Sequence, residues 1–245
     1  MSISKLYVRG IRLELADVDL HSYPYHLPFI QALKTLNFNN AVSFIVGENG
    51  SGKSTLLEAI AVNYGFNPEG GSKNFNFSTN NTHALLDQQI TLIKGVKRPK
   101  DGYFLRAESF YNVASEIEKL DQETPGLYMS YGGKSLHHQS HGESFMSLIM
   151  HRFRGSGLYI LDEPEAALSP ARQFALISRM HDLVQQGSQF IIATHSPILM
   201  AFPNADVFVI RDEVIEQTTY DQTDHYILTK SFLNHPERIL KELMD

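Results

Sequence analysis

Apolar and polar positions alternate over residues 3–15 (ISKLYVRGIRLEL), a period of two that predicts a strand or hairpin at the start of the chain. Residues 21–30 (HSYPYHLPFI) carry two prolines and read as an irregular loop. A short apolar run, Ala41 to Val46, predicts a buried strand; GENGSGKST follows at once, and then an amphipathic helix through about Val62. Residues 64–82 are rich in Gly, Asn and Ser and read as a loop or an insertion. Within 88–110, QQITLIKG and DGYFLRAESF are strand candidates, and 111–121 is helical. A loop rich in Gly, Ser and His over 125–143 leads into a helix at SFMSLIMHRF. Beyond it the pattern predicts an apolar strand from Gly157 to Leu161, a helix from about Pro170 to Gln186 and a second apolar strand from Gln189 to Ala193. The tail offers a strand (DVFVI), a hairpin partner (VIEQTTY) and a short terminal helix. Buried strands alternating with helices, after β-rich segments, indicate an α/β sandwich.

Composition narrows the classes. A chain of 245 residues, 42% hydrophobic and 20% charged, has the make-up of a globular protein with a sizeable core. The net charge of −6 argues against a surface that clings to nucleic acid throughout, while leaving room for a local basic patch. With no cysteine, disulfides, thiolate metal sites and cysteine nucleophiles are excluded. The segment MSISKLYVRG lacks the apolar stretch of a signal peptide, and no run of about 18 apolar residues occurs. The expectation is a soluble, cytoplasmic protein with no membrane partner.

The strongest chemical signal is Gly47-Glu48-Asn49-Gly50-Ser51-Gly52-Lys53-Ser54-Thr55, a complete G-x-x-x-x-G-K-[ST] between a predicted strand and a predicted helix. Its glycines let backbone N–H groups turn inward on phosphate oxygens, and the helix start adds its positive dipole end. Lys53 is placed for the β- and γ-phosphates of ATP, and the Ser54 hydroxyl for Mg²⁺. A second GKS, Gly133-Lys134-Ser135, has Tyr128 where the first glycine belongs and no apolar strand before it, so it is not a P-loop. In Leu158-Tyr159-Ile160-Leu161-Asp162-Glu163-Pro164 an apolar strand ends in two acids. Asp162 is the metal-side carboxylate, and Glu163 is placed to take a proton from an attacking water. Ala193-Thr194-His195-Ser196-Pro197 closes the next strand, and His195 is a candidate γ-phosphate sensor.

In this order the residues resemble the ABC ATPase superfamily over roughly 3–212. GENGSGKST looks like Walker A, LYILDEP like Walker B and ATHSP like the switch-histidine loop. Ser140-His141-Gly142-Glu143 looks like the signature motif, with His141 replacing one glycine and Glu143 the usual glutamine. Ala166-Ala167-Leu168-Ser169 would be the D-loop, with Ser169 where an aspartate is common. The spellings SHGES, LRAESF and THSPIL are most similar to small stand-alone "AAA family ATPase" proteins, relatives of SMC, Rad50 and RecF heads. The resemblance implies one ABC-type domain over 1–245. Its parts would be a mixed, mostly parallel sheet core, an N-terminal antiparallel β subdomain and a short helical subdomain at approximately 109–150. It places Glu108 at the Q-loop position, near Mg²⁺ or the attacking water, where a carboxylate adds negative charge. It further implies that Ser140, Gly142 and Glu143 close over the ATP held by the partner's P-loop. The working unit would then be a head-to-tail homodimer with two composite sites.

Other features stay open at this level. His137, His138 and His141 are a weak metal set and fit a nucleotide-ordered loop better. Lys94, Lys97, Arg98 and Lys100, and more weakly Arg152 and Arg154, are either nucleic-acid contacts or a solvated hairpin loop. Tyr23, Tyr25 and Phe29 are either adenine-stacking residues or core. Only about 32 residues separate Glu108 from Ser140, too few for the long coiled coil of SMC and Rad50 proteins. Two functions remain, an ATPase acting on DNA or a DNA-bound complex in repair or defence, and a slow regulatory switch controlling a partner protein. A transporter subunit is the less favoured third.

Overall fold

The alternation at the start of the chain yields one strand, β1 (Val8–Leu13), which exposes Arg9 and Arg12 and buries the rest, its alternation broken at the consecutive buried Gly10 and Ile11 by a register shift. A computed structural model describes residues 5–73, 85–123, 126, 129, 131–133, 135, 137, 139–211 and 213–245. The 74–82 part of the predicted insertion, together with Tyr128, Lys134 and His138, lies outside the described residues. The proline-bearing stretch closes with a short helix, α1 (Pro28–Ala32), that carries proline in its first turn. The strands β2 (Thr35–Asn37) and β3 (Val42–Gly47) follow, and every residue of β3 is buried. After the P-loop comes α2 (Lys53–Tyr64), which is not amphipathic. Leu56, Leu57, Ala59, Ile60 and Ala61 are all buried, so no polar face is left to water. The cause is its position between two sheets, packed on β4 (Ile90–Lys94) on one side and on the main sheet on the other.

β1 is the centre of a three-stranded antiparallel sheet in the order β2–β1–β4. The next strand, β5 (Asp101–Arg106), belongs to the other sheet. Residues 95–100 therefore cross between sheets and are not a hairpin loop. The chain continues through α3 (Phe110–Glu123) and α4 (His141–Arg152). α4 begins before SFMSLIM because Ser140 and Glu143 form a capping box that draws the signature residues into its first turn. Then follow β6 (Gly157–Asp162), α5 (Pro170–Gln185), β7 (Gln189–Ala193), α6 (Pro197–Met200), β8 (Asp206–Arg211) and β9 (Val214–Thr218). The tail ends in two helices, α7 (Asp224–Asn234) and α8 (Pro236–Met244), where the pattern suggested one. Pro236 disfavours helical geometry at His235 and breaks the run there.

The main sheet has the order β5–β6–β7–β3–β8–β9, parallel except for β9. One apolar cluster fills the space between the two sheets around α2, with Ile11, Phe38, Ile45 and Ile60 among its members. A second lies on the opposite face under α3, α4 and α5, with Phe44, Tyr103, Phe145 and Leu176. Below the sheet, Asp101 accepts hydrogen bonds from Arg152 Nη1 at 2.7 Å and from the Tyr159 hydroxyl at 2.8 Å. Arg152, with a side chain only 18% exposed, is thus a structural cation within the fold. Among the described residues no helix is long and apolar enough to cross a membrane. The carboxyl ends of β3, β6 and β7 open on one edge, where the chemistry gathers.

Candidate nucleotide-binding and hydrolysis site

Gly47 ends β3, and Lys53 opens α2 with Gly52 as its N-cap. Gly52 has a φ of 94°, and a Cβ there would stand 2.8 Å from the Phe29 ring, so both conformation and close approach demand glycine. No side chain caps this helix, which leaves its first N–H groups directed at the loop, as phosphate binding requires. Glu48, Asn49 and Gly50 are exposed at the loop's crest. Lys53 Nζ donates to the Glu48 carbonyl at 3.0 Å. Burial pulls the Lys53 ammonium below the ordinary lysine range, against the attraction of Glu163 and Asp162. Thr55 shares a hydrogen bond with the Tyr23 hydroxyl. Tyr25 and Phe29 are core residues at 4% and 2% exposure, which leaves Tyr23 as the exposed aromatic of the three.

β6 delivers Asp162 beside the P-loop, where Ser54 Oγ donates to Asp162 Oδ1 at 2.9 Å. Burial pushes the Asp162 carboxyl up to about 6, opposed by the nearby Arg106 and by the Ser54 hydrogen bond. The LRAESF resemblance gives Arg106 no role, yet this residue organises the acids. It ends β5 in register with Asp162 and reaches Asp162 at 3.5 Å, Glu58 at 2.7 Å and Glu108 at 2.6 Å. Glu108 is exposed, and its charge is partly matched by this guanidinium. Ser54, Glu108, Asp162 and Glu163 line one cavity of about 250 Å³, and His141 from the signature segment of the same chain joins them.

Glu163 has a φ of +49°, a left-handed conformation that costs a non-glycine residue roughly 1 kcal/mol or more. Its N–H is anchored to the Ala193 carbonyl at 3.0 Å, which ties the ends of β6 and β7 together. His195 Nε2 lies 3.4 Å from Glu163 Oε1, out of line for a hydrogen bond, and is buried with no other hydrogen-bond partner. Two further groups hold His195. Glu165 Oε1 accepts from the His195 backbone N–H at 2.5 Å, and His225 Nε2 lies 3.0 Å from His195 Nδ1. His225 comes from α7, which an Arg211–Asp224 ion pair of 3.1 Å holds beside β8. Between α7 and the P-loop is a cavity of about 430 Å³ lined by Glu48, Ser51, Phe29 and His225. Burial lowers both imidazoles below the ordinary histidine range, and Lys53 reinforces the shift.

The signature segment is built differently from the loop its composition suggested. Ser140 N and Oγ both donate to Glu143 Oε2, at 3.0 and 2.6 Å, so Glu143 serves the helix start in its own chain. Those hydrogen bonds hold the exposed Glu143 carboxyl below its ordinary range. Gly142 is buried, and a Cβ there would press on Arg172 Nη1 and meet the Ala167 carbonyl at 2.7 Å. This close approach locks the signature helix to the segment that follows Glu163.

The donor set suits the groups the motifs imply. Ser51 Oγ and His195 Nε2 are buried polar atoms without hydrogen-bond partners, in the loop and at the strand end where phosphate oxygens would lie. A hydroxyl and carboxylates are the hard oxygen ligands Mg²⁺ takes together with nucleotide phosphates. Among the described residues no group of three or more His, Cys, Asp or Glu converges as a metal site, His137 and His141 included.

A strand-borne P-loop facing a strand-end Asp–Glu pair, with a histidine from the next strand, defines a P-loop nucleotide hydrolase. Comparison with known proteins narrows the class. Residues 24–132 match a family model described as "AAA domain", and 138–201 match one described as "AAA domain, putative AbiEii toxin, Type IV TA system". The chain is 27% identical over 241 residues to a putative ABC transporter ATP-binding protein of Caldanaerobacter subterraneus, covering 89% of this chain and 91% of that protein. It is 24% identical over 218 residues to a xylose import ATP-binding protein of Thermoanaerobacter pseudethanolicus, covering 80% of this chain but only 42% of that relative. An SMC head domain from Thermotoga maritima aligns over 76% of this chain and 92% of that one, at 17% identity and a TM-score of 0.39. Fold, motif order and the two family matches together support an ABC-type ATPase nucleotide-binding domain.

Proposed function

We propose that the chain binds ATP with Mg²⁺ and hydrolyses it as a head-to-tail homodimer. The observation that carries this is the convergence of Glu163 and His195, 3.4 Å apart, beside the hydrogen-bonded Ser54–Asp162 pair, with Lys53 within electrostatic reach of both acids. The P-loop N–H groups and Lys53 hold the phosphates, and the Glu163 carboxylate takes a proton from the attacking water. As the new O–P bond to the γ-phosphorus forms, the bond to the β–γ bridging oxygen breaks and ADP leaves. Mg²⁺, held by Ser54 and Asp162, with Glu108 at the rim, supplies charge neutralisation at the phosphate oxygens when bound. His195, with Nε2 free of other bonds, senses the γ-phosphate. His225 is a positioning residue that fixes the ring through Nδ1. Ser140 and Gly142 act on the partner's nucleotide, so that ATP joins the two subunits and hydrolysis releases them.

The description of the family matched over 138–201 names a toxin–antitoxin system, and this favours a second reading. In it the same ATP-gated dimer turns over slowly and controls a partner protein. Mixing Lys53→Ala with Ser140→Arg tests the shared scheme. Each variant alone should be inactive, while the mixed dimer holds one intact composite site and regains activity. No recovery on mixing, with both variants folded, would contradict action in trans.

A further inference from the structure

The far end of β5 carries a second concave site that the ATPase chemistry does not use. A cavity of about 320 Å³ opens between the 72–73 segment and the crossover at 98–102, with Lys73, Arg98, Lys100 and Arg152 in its wall. Three cations converge there on one buried ring. Lys73 Nζ sits 4.1 Å from the centre of Tyr64 and Lys94 Nζ 5.3 Å from it, while Arg98 is near enough to the Tyr64 hydroxyl to oppose the upward shift that burial imposes on it. The acid in the wall, Asp101, is already committed to Arg152 and Tyr159. Among the described residues, Lys73, Lys94, Lys97, Arg98 and Lys100 have no carboxylate within ion-pair distance. On a chain of net charge −6, such a concentration of unmatched positive charge is a local exception.

Like charges held together repel. Burial first, and then Lys94 and Arg98, lower the Lys73 ammonium below its ordinary range. An anion seated among these groups removes that cost. We propose that this cavity and the 94–100 crossover bind the phosphodiester backbone of a double-stranded nucleic acid, independently of sequence. A single small phosphate would engage the cavity alone. Lys94 at the end of β4 and Lys97 on the crossover, both exposed, extend the positive surface as a polyanion requires. Base readout has no support here. The Tyr64 ring is buried and covered by two ammonium groups, so no face is left for a base to stack on. The site lies at the opposite end of β5 from Arg106, roughly 17 Å away at about 3.3 Å per residue, and does not depend on ATP hydrolysis.

The test is fluorescence anisotropy of the full chain with labelled duplex DNA and duplex RNA, without nucleotide, over a salt series. Saturable binding is expected, with a slope of log K against log salt of about −3 for three phosphate contacts. Arg98→Glu with Lys100→Glu should weaken it by at least tenfold, roughly, and flatten the slope by about two. Arg238→Glu with Lys241→Glu, the same charge change on α8, should cost less than about threefold. Melting temperatures should match throughout. Lys53→Ala should leave duplex binding intact, which separates this site from phosphate capture at the P-loop. Equal losses from the two double reversals, binding abolished by Lys53→Ala alone, a strong sequence preference, or no saturable binding to either duplex would each overturn the proposal.

Discussion

Replacing Arg106 with methionine removes a guanidinium that serves three carboxylates, and the structure indicates how much each should matter. The Glu58 contact, at 2.7 Å between side chains 14% and 12% exposed, is the largest contribution. Breaking a buried pair of this kind costs about 3–5 kcal/mol. Asp162 is more buried, at 5%, but stands 3.5 Å away and contributes less. Glu108 is 75% exposed, so its share is at most about 1 kcal/mol. Residual water access to Arg106 and Glu58 favours the lower half of the range, about 3–4 kcal/mol. For a chain of this size each kcal/mol shifts Tm by about 2–4 °C, which predicts a drop of roughly 6–16 °C. With no tryptophan in the chain, urea unfolding is best followed by far-ultraviolet circular dichroism. Adding Glu58→Met to Arg106→Met replaces the pair by apolar groups and should recover more than half of the loss. A single-variant loss under about 1 kcal/mol, or no recovery in the double variant, would refute the assignment of Arg106 as the organiser of these acids.

Three further outcomes follow from the site. His225→Ala should lower kcat by roughly tenfold with KM for ATP nearly unchanged, and His225→Asn should restore part of it; an unchanged kcat would remove its positioning role. Burial and Lys53 depress both imidazoles, while Glu163 attracts the proton of His195, and Glu48 and Asp224 that of His225. A depressed histidine contributes stability above its unfolded value, about 6.5, that is lost as pH falls through the folded values. Acid destabilisation below about pH 6.5 should therefore shrink in His225→Ala, measured by Tm against pH, and an identical profile would contradict it. Gly142→Ala gains about 1 kcal/mol of helix propensity but forces a Cβ within 2.7 Å of the Ala167 carbonyl. Overpacking against backbone costs about 1–3 kcal/mol and should win, so Tm falls; a rise would show that the Ala167 segment yields freely.

The nucleotide side of this site was legible because its chemistry is local. A strand, a glycine loop and a helix lie consecutively from Val42 to Tyr64, and Asp162 and Glu163 sit next to each other at a strand end. What was hidden depends on contacts between distant segments. Arg106 meets Glu58 across 48 residues, and His195 meets His225 across 30, with nothing near either residue to announce the pairing. The start of α4 was in view, since Ser140-x-x-Glu143 is a capping-box pattern, but the Gly- and His-rich composition around it suggested a loop. The helix after the P-loop already carries apolar residues on all sides in its sequence, Leu56, Leu57, Ala59, Ile60 and Ala61, a pattern that fits burial between two sheets rather than an amphipathic surface helix. QQITLIKG and DGYFLRAESF have the right strand periodicity, but periodicity does not say that a chain changes sheets between them.

The central claim is that ATP joins two subunits and Glu163 discharges them. Glu163→Gln keeps the size of the side chain while removing the base, so ATP should bind and remain. Light scattering of this variant should give the chain mass of 27.7 kDa without nucleotide and about twice that with ATP and Mg²⁺. A mass that ignores ATP, or a variant that hydrolyses ATP at the wild-type rate, would contradict the account.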